Sequence, residues 1–125
     1  MNAFEEGLTR YLHPGFLDFL RTIRIGIIGA GGLGSNCAAH LVRSGFADLV
    51  LADADTVEPS NLNRQYFTLA QVGSPKALAL RENLLAINPA ARIEAHHLHV
   101  DALNMPGLFD ACDAVVEAVD DPRTK

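Results

Sequence analysis

The sequence predicts an α/β fold: a doubly wound parallel sheet with strand order 3-2-1-4, carrying a helical arm at its N-terminus. Three observations predict it. Continuous apolar runs at residues 24–28, 48–52 and 113–119 are separated by segments of helical spacing, the pattern of parallel strands covered on both faces. The first run leads directly into a glycine loop, Gly29-Ala-Gly-Gly-Leu-Gly34, and the loop into a helical segment over residues 33–44. The chain of 125 residues suffices for one domain with one core.

Composition sets the outer bounds. The chain is 49% hydrophobic and 20% charged, as in ordinary globular proteins, and its net charge of −5 argues against a general nucleic-acid or anionic-membrane surface. No apolar run approaches the roughly 18 residues of a membrane span. The N-terminal Met1-Asn-Ala-Phe-Glu-Glu6 lacks the basic and apolar regions of a signal peptide, so a cytoplasmic location is the expectation. Cys37 and Cys112 form no C-x-x-C pair and read as small buried hydrophobes, with no zinc site implied.

Taken in order, residues 1–23 form the arm. Phe4, Leu8, Tyr11, Leu12, Phe16, Phe19 and Leu20 keep helical spacing, interrupted at Pro14-Gly15, which predicts two short helices docked by one apolar stripe. Residues 24–125 form the second unit. Here Gly29, Gly31 and Gly34 hold the G-x-G-x-x-G spacing and Gly32 adds a fourth glycine. A Cβ at Gly29 would obstruct the turn, one at Gly31 would keep phosphate from the backbone N–H groups, and one at Gly34 would push the helix off the strand. The helix start adds its own N–H groups and partial positive charge. Together these predict a nucleotide phosphate site, against the plainer reading of a structural turn. Gly45 supplies the helix stop.

The strand at 48–52 ends at Asp53, where a carboxylate can take ribose hydroxyls or cap a loop. A polar insertion follows, holding Ser60, Asn61, Asn63, Arg64 and Gln65; it is either a solvated loop or a set of donors beside a phosphate-binding guanidinium. Ser74 is the expected N-cap of the next helix, with Pro75 in its first turn and Asn88-Pro89 at its end. Lys76 opposes the dipole of that helix, a conflict that a nearby phosphate would resolve and a solvated lysine would not need to. Residues 92–100 read as a strand; His96 takes one face, and His97 and His99 the other, which favours exposed residues over a metal cluster. Residues 102–111 read as a short helix, irregular at Pro106-Gly107. The last strand ends in Asp120-Asp121-Pro122, either a turn or a pair of carboxylates for magnesium beside phosphate.

These segments together resemble the ThiF/MoeB/HesA family, relatives of the adenylation domains of ubiquitin-activating enzymes. The resemblance rests on Gly29-Ala-Gly-Gly-Leu-Gly34, Asp53-Ala-Asp-Thr-Val-Glu-Pro-Ser-Asn-Leu-Asn-Arg-Gln65, Val72-Gly-Ser-Pro-Lys76, Ile87-Asn-Pro89 and Val116-Glu-Ala-Val-Asp-Asp121, in the family's order and spacing. It implies a Rossmann-like adenylation domain that binds ATP and Mg2+ and joins AMP to the C-terminal glycine of a ubiquitin-like sulfur-carrier protein ending in Gly-Gly, of thiamine or molybdopterin type. It further implies that Gly29, Gly31, Gly32 and Gly34 sit against the nucleotide and Asp53 holds the ribose. Ser60, Asn61, Arg64 and Lys76 would surround the triphosphate, Asp120 would bind magnesium, and Asp121 would adjoin it. A homodimer is implied, in which relatives reach the partner's ATP with an arginine; here Arg10 matches the first arginine of that segment, and His13 stands where the phosphate-contacting one would be. Relatives continue beyond the Asp120 strand, so a truncated chain is expected. The competing readings are an NAD-dependent oxidoreductase fragment, permitted by the glycine loop and Asp53, a non-catalytic scaffold of the same fold, and a tRNA-modifying relative that also activates a carboxylate.

Overall fold

The computed structural model describes residues 1–119. Two helices, α1 (Ala3–Leu8) and α2 (Pro14–Arg21), precede β1 (Ile25–Ile28), α3 (Gly32–Ser44), β2 (Asp48–Asp53), α4 (Lys76–Ile87), β3 (Arg92–His97), α5 (Met105–Phe109) and β4 (Ala114–Glu117). The four strands are parallel in the order β3-β2-β1-β4, as the sequence predicts, with Ile25 opposite both Leu49 and Ala114. Ile25, Ile27, Leu49, Leu51 and Ile93 share one cluster with Ala38 and Val42 of α3 and Leu80 and Leu84 of α4. Ile28, Val50 and Ala52 share the other with Phe109 of α5. Helices on both faces explain why β1 and β2 read as continuous apolar runs. Gly26 makes room for the second layer: a Cβ there would lie 2.4 Å from Phe109 Cδ1.

The arm departs from the expected stripe. Pro14 occupies the first turn of α2, where its missing N–H costs nothing, so it starts a new helix and breaks the register between the two. The buried apolar residues are Leu17, which the periodicity missed, and Leu20; Tyr11, Phe16 and Phe19 face outward, the two phenylalanines stacked at 6.2 Å. Leu17 and Leu20 pack on Gly45, the left-handed C-cap of α3. His13 caps α2, its Nδ1 accepting the Gly15 N–H at 3.0 Å. Glu5 and Asn2 form a capping box on α1, Asn2 Nδ2 donates to Asn88 Oδ1 at 2.7 Å, and Arg21 donates to the buried Glu5 carboxylate.

Three further expectations are corrected. Ser74 does not cap α4 through its side chain; its carbonyl instead accepts the Val57 N–H at 2.8 Å, and Pro75 takes the N-cap position. β3 ends at His97, after which the Leu98 N–H turns to the Asp53 carbonyl at 3.1 Å. The helix expected over 102–111 is only Met105–Phe109, because Pro106 falls in its first turn and starts it rather than distorting it. His96 Nε2 lies 2.9 Å from Glu94 Oε2, while His97 and His99 are exposed. Among the described residues, no helix is long and apolar enough to cross a membrane, and no group of three or more His, Cys, Asp or Glu is placed to hold a metal.

Candidate active site: a nucleotide cleft at the strand ends

The carboxyl ends of β1 and β2 and the segments that follow β3 and β4 surround a cleft of about 340 Å³. Open α/β sheets place ligands at this end, where the strand order reverses. Here β1 sends the chain out toward β2 on one side and pairs with β4 on the other. Ile28, Ala52, Leu98, Val100, Ala118 and Val119 form its apolar wall. Gly29, Gly31, Asp53, Asp55, Gln65 and Lys76 form the polar wall, with His99 also at the lining.

The glycine loop turns at Gly29, whose φ of +98° is left-handed and whose added Cβ would lie 3.0 Å from the Ala118 carbonyl. At Gly34 space alone decides: a Cβ would stand 1.8 Å from the Gly29 carbonyl oxygen. That contact seats the first turn of α3 on the loop. Gly31, which lines the cleft, is the N-cap of α3 and has no side chain to cap it, so the leading N–H groups of the helix have no intrahelical acceptors. An uncapped start of a 13-residue helix suits an anion.

Asp53 is committed on both oxygens. Oδ2 accepts the Ala30 N–H at 2.6 Å and Oδ1 accepts the Asp55 N–H at 2.7 Å. The loop-capping reading of this residue therefore holds, and each oxygen keeps further acceptor capacity.

Lys76 is not a solvated lysine. It is 7% exposed, opens α4, and forms no ion pair among the described residues. Backbone bonds fix its position: its N–H donates to the Asp55 carbonyl at 2.9 Å, and Thr56 bridges to Pro75. The exit of β2 and the start of α4 are thus tied together, and Lys76 lines the same cleft as Asp53.

The polar insertion is exposed along much of its length but pinned at its end. Ser35, fully buried in α3, accepts the Tyr66 N–H at 3.0 Å, and Asn36 Nδ2 donates to the carbonyls of Gly32 at 2.6 Å and Arg64 at 2.8 Å. Asn83 and Gln71 exchange amide bonds of 2.7 and 2.9 Å, and Asn83 also donates to the Tyr66 carbonyl. Sequence reasoning singled out none of these four as structural anchors. Gln65, named only among the donors of the insertion, lines the cleft with its Oε1 buried and unpartnered.

The structure therefore brings Gly29, Gly31, Asp53 and Lys76 into one cleft. Gly32 and Gly34 stand behind its wall in the first turn of α3. Ser60 is exposed, and Asn61 is turned inward, its Oδ1 accepting the Glu58 N–H at 2.8 Å. Arg64 lies next to Gly32 but folds its guanidinium onto the Ser60 carbonyl at 2.9 Å and Asn63 Oδ1 at 3.1 Å. Asp120 and Asp121 lie outside the described residues.

Known proteins share this fold. Over 107 residues the chain is 36% identical to a probable adenylyltransferase/sulfurtransferase MoeZ of Mycobacterium tuberculosis, covering 85% of this chain and 27% of that protein. It is 36% identical to a sulfur carrier protein adenylyltransferase of Thermus thermophilus, across the whole chain and 49% of that protein. The chain thus spans between about a quarter and about half of these relatives. Among solved structures, E. coli tRNA N6-threonylcarbamoyladenosine dehydratase, TcdA, in complex with AMP superposes with a TM-score of 0.87 at 30% identity, covering 95% of this chain and 50% of that one. The same protein has been solved in complex with ATP. The profile of the ThiF family matches residues 7–125, and the chain belongs to that family.

Proposed function

We propose that this chain is the nucleotide-binding part of an adenylyltransferase that uses ATP to activate the C-terminal glycine carboxylate of a ubiquitin-like sulfur carrier of thiamine or molybdopterin type. The observation that carries the reading is Lys76: a lysine with a buried stem, without an ion-pair partner among the described residues, lining the same cleft as an uncapped helix start. A fixed cation in a cleft attracts a counter-charge. A polyphosphate supplies one and also satisfies the free N–H groups of α3. The relatives named as adenylyltransferases, and the neighbour solved with ATP and AMP, support the same ligand.

The chemistry follows from these groups. A carboxylate is a poor acyl donor until a good leaving group is attached. Its oxygen attacks the α-phosphorus of ATP, a new P–O bond forms to the acyl oxygen, and the bond to the β-phosphate breaks to release pyrophosphate. Such a step needs alignment and neutralisation of developing charge, not a protein nucleophile. The glycine loop and α3 bind phosphate oxygens, Asp53 holds the ribose, and Lys76 neutralises the leaving phosphates. Arg64 joins them by turning its guanidinium away from Ser60, with Ser60 and Asn61 shaping the approach. Magnesium, held by Asp120 with Asp121 adjoining, would add charge neutralisation beside the same phosphates. The reading includes a cytoplasmic homodimer and a unit boundary near residue 24.

A second reading has its own support: the solved neighbours named as a tRNA-modifying dehydratase superpose over nearly the whole chain. One experiment separates the two. ATP–pyrophosphate exchange is measured on the full-length gene product with carrier proteins ending in Gly-Gly, with tRNA, and with an Asp120→Ala variant. Exchange that requires one carrier and disappears in the variant supports the proposal. Exchange that answers to tRNA alone moves the assignment to the second reading, and ATP binding without exchange under any condition leaves a scaffold.

A further inference from the structure

Asn36 joins two segments that stand 28 positions apart in the chain. Its amide has two N–H donors and directs both to carbonyls: Gly32 at 2.6 Å, one turn back in α3, and Arg64 at 2.8 Å, in the polar insertion. Two carbonyl partners fix which end of the amide is nitrogen. The bond to Gly32 is the local kind that polar side chains make in helices; the bond to Arg64 is not. Beside it on α3, Ser35 accepts the Tyr66 N–H at 3.0 Å. Adjacent residues of one helix therefore hold the backbone on both sides of Gln65.

The side chain presented by this clamp is Arg64. Its Cγ lies 4.0 Å from where a Cβ on Gly32 would stand, so the stem passes the first turn of α3. Beyond that point the residue is exposed, and the guanidinium bonds only to its own segment, at the Ser60 carbonyl and Asn63 Oδ1. Backbone and side chain thus differ: one is fixed to the helix, the other is held by two exposed bonds that an anion can replace. A long cation on a free loop must be ordered in backbone and rotamers together when it meets a ligand. On a fixed backbone only the rotamers remain to be ordered. Asn36 itself does not line the cleft, so any effect it has on a ligand there passes through what it holds.

We propose that Asn36 is a positioning residue for Arg64. It fixes the Arg64 backbone against the first turn of α3, so that the guanidinium, on leaving Ser60 and Asn63, meets the polyphosphate at the helix start. The inference rests on the nucleotide reading above and on the place of Arg64 in it.

The test is calorimetric titration of the full-length gene product with ATP, in the wild type, Asn36→Ala, Arg64→Ala and the double variant, with apo melting of each. Asn36 is half-buried and its bond to Arg64 is exposed, so water replaces that bond and Asn36→Ala should melt close to the wild type. It should bind ATP on the order of fivefold more weakly, the scale of ordering one further group on binding. In the Arg64→Ala background the same substitution should change affinity by less than about twofold, because nothing is left to position. Asn36→Leu keeps the volume of the amide without its donors and should behave as Asn36→Ala does. Equal weakening by Asn36→Ala in both backgrounds overturns the proposal, since Asn36 would then act on the glycine loop or the fold. Unchanged ATP binding in Asn36→Ala overturns it too, as does a marked fall in apo melting of both Asn36 variants. If Arg64→Ala binds ATP as tightly as the wild type, the proposal fails while the nucleotide reading stands. If the wild type binds no ATP, the nucleotide reading fails and the proposal with it.

Discussion

Asp53 Oδ2 accepts the backbone N–H of Ala30 at 2.6 Å, so the residue expected to meet the sugar also holds the glycine loop in place. Its other oxygen takes the Asp55 N–H at 2.7 Å and orders the chain that leads to Lys76. One carboxylate therefore ties the glycine loop to the segment that leads into α4, both on the polar wall of the cleft. Asp53→Ala should lower folding stability by about 2 kcal/mol, the scale of lost hydrogen bonds to a charged group, besides abolishing ATP binding. Asp53→Asn keeps one acceptor oxygen for two N–H groups and should lose roughly half as much. Denaturant unfolding with calorimetric ATP titration checks both. Full stability in Asp53→Ala would reduce the residue to a ligand contact.

The glycines of the loop differ in what they tolerate. At Gly34 an added methyl meets the Gly29 carbonyl oxygen at 1.8 Å, and neither backbone can yield without lifting α3 from the strand. Gly34→Ala should cost at least about 3 kcal/mol or prevent folding. At Gly31 the nearest atom to an added methyl is Gln65 Nε2 at 3.7 Å, an ordinary contact. Gly31→Ala should fold with a loss of about 1 kcal/mol or less, yet bind ATP at least tenfold more weakly, because the methyl occupies the approach to the N–H groups. Thermal melting and titration of the pair would show the contrast; equal melting temperatures would refute the steric argument.

What could be read in advance follows the range of the interactions. The strands, the glycine loop and the ends of α3 depend on neighbours within a few residues, and the chain carries those signals openly: the apolar run at 24–28, the glycine spacing, Gly45 as the stop. Ser35, Asn36, Gln71 and Asn83 carry no such signal. Each is an ordinary polar residue until a partner from another element arrives, 31 positions away for Ser35 and Tyr66 and 28 for Asn36 and Arg64. Lys76 illustrates the same limit. Helix electrostatics disfavoured it where it stands, and only the bridge between Thr56 and Pro75 shows why it is buried there. In the arm, periodicity pointed to Phe16 and Phe19, while the restart of the helix at Pro14 turned Leu17 inward in their place.

Lys76 gives the sharpest separation of stability from function. Its stem is buried, and its ammonium has no ion-pair partner among the described residues. Lys76→Met retains the buried stem and removes a charge that forms no ion pair among the described residues, so stability should change by less than about 1 kcal/mol. Pyrophosphate exchange by the full-length protein should fall by roughly two orders of magnitude or more, the usual consequence of removing a group that neutralises transition-state charge. Retained exchange would exclude Lys76 from the chemistry. A stability loss of several kcal/mol would show that the ammonium is structural.

The arm should respond to acid. Burial opposes ionisation of Glu5, but the Asn2 N–H, and the hydrogen bond and charge of Arg21, outweigh it and hold the carboxyl below its ordinary value of 4.5. A carboxyl depressed on folding adds stability above its unfolded value, and that stability disappears as pH falls through the folded value. Glu5→Gln should therefore be less stable than the wild type at neutral pH, by on the order of 1 kcal/mol for a pair with one partly exposed partner. The gap should close as pH drops below 4.5, because the wild type then loses the same interaction. Melting of both proteins across that range measures it. A gap that persists in acid would mean that Glu5 contributes by packing and its capping bond, with its charge irrelevant to docking the arm.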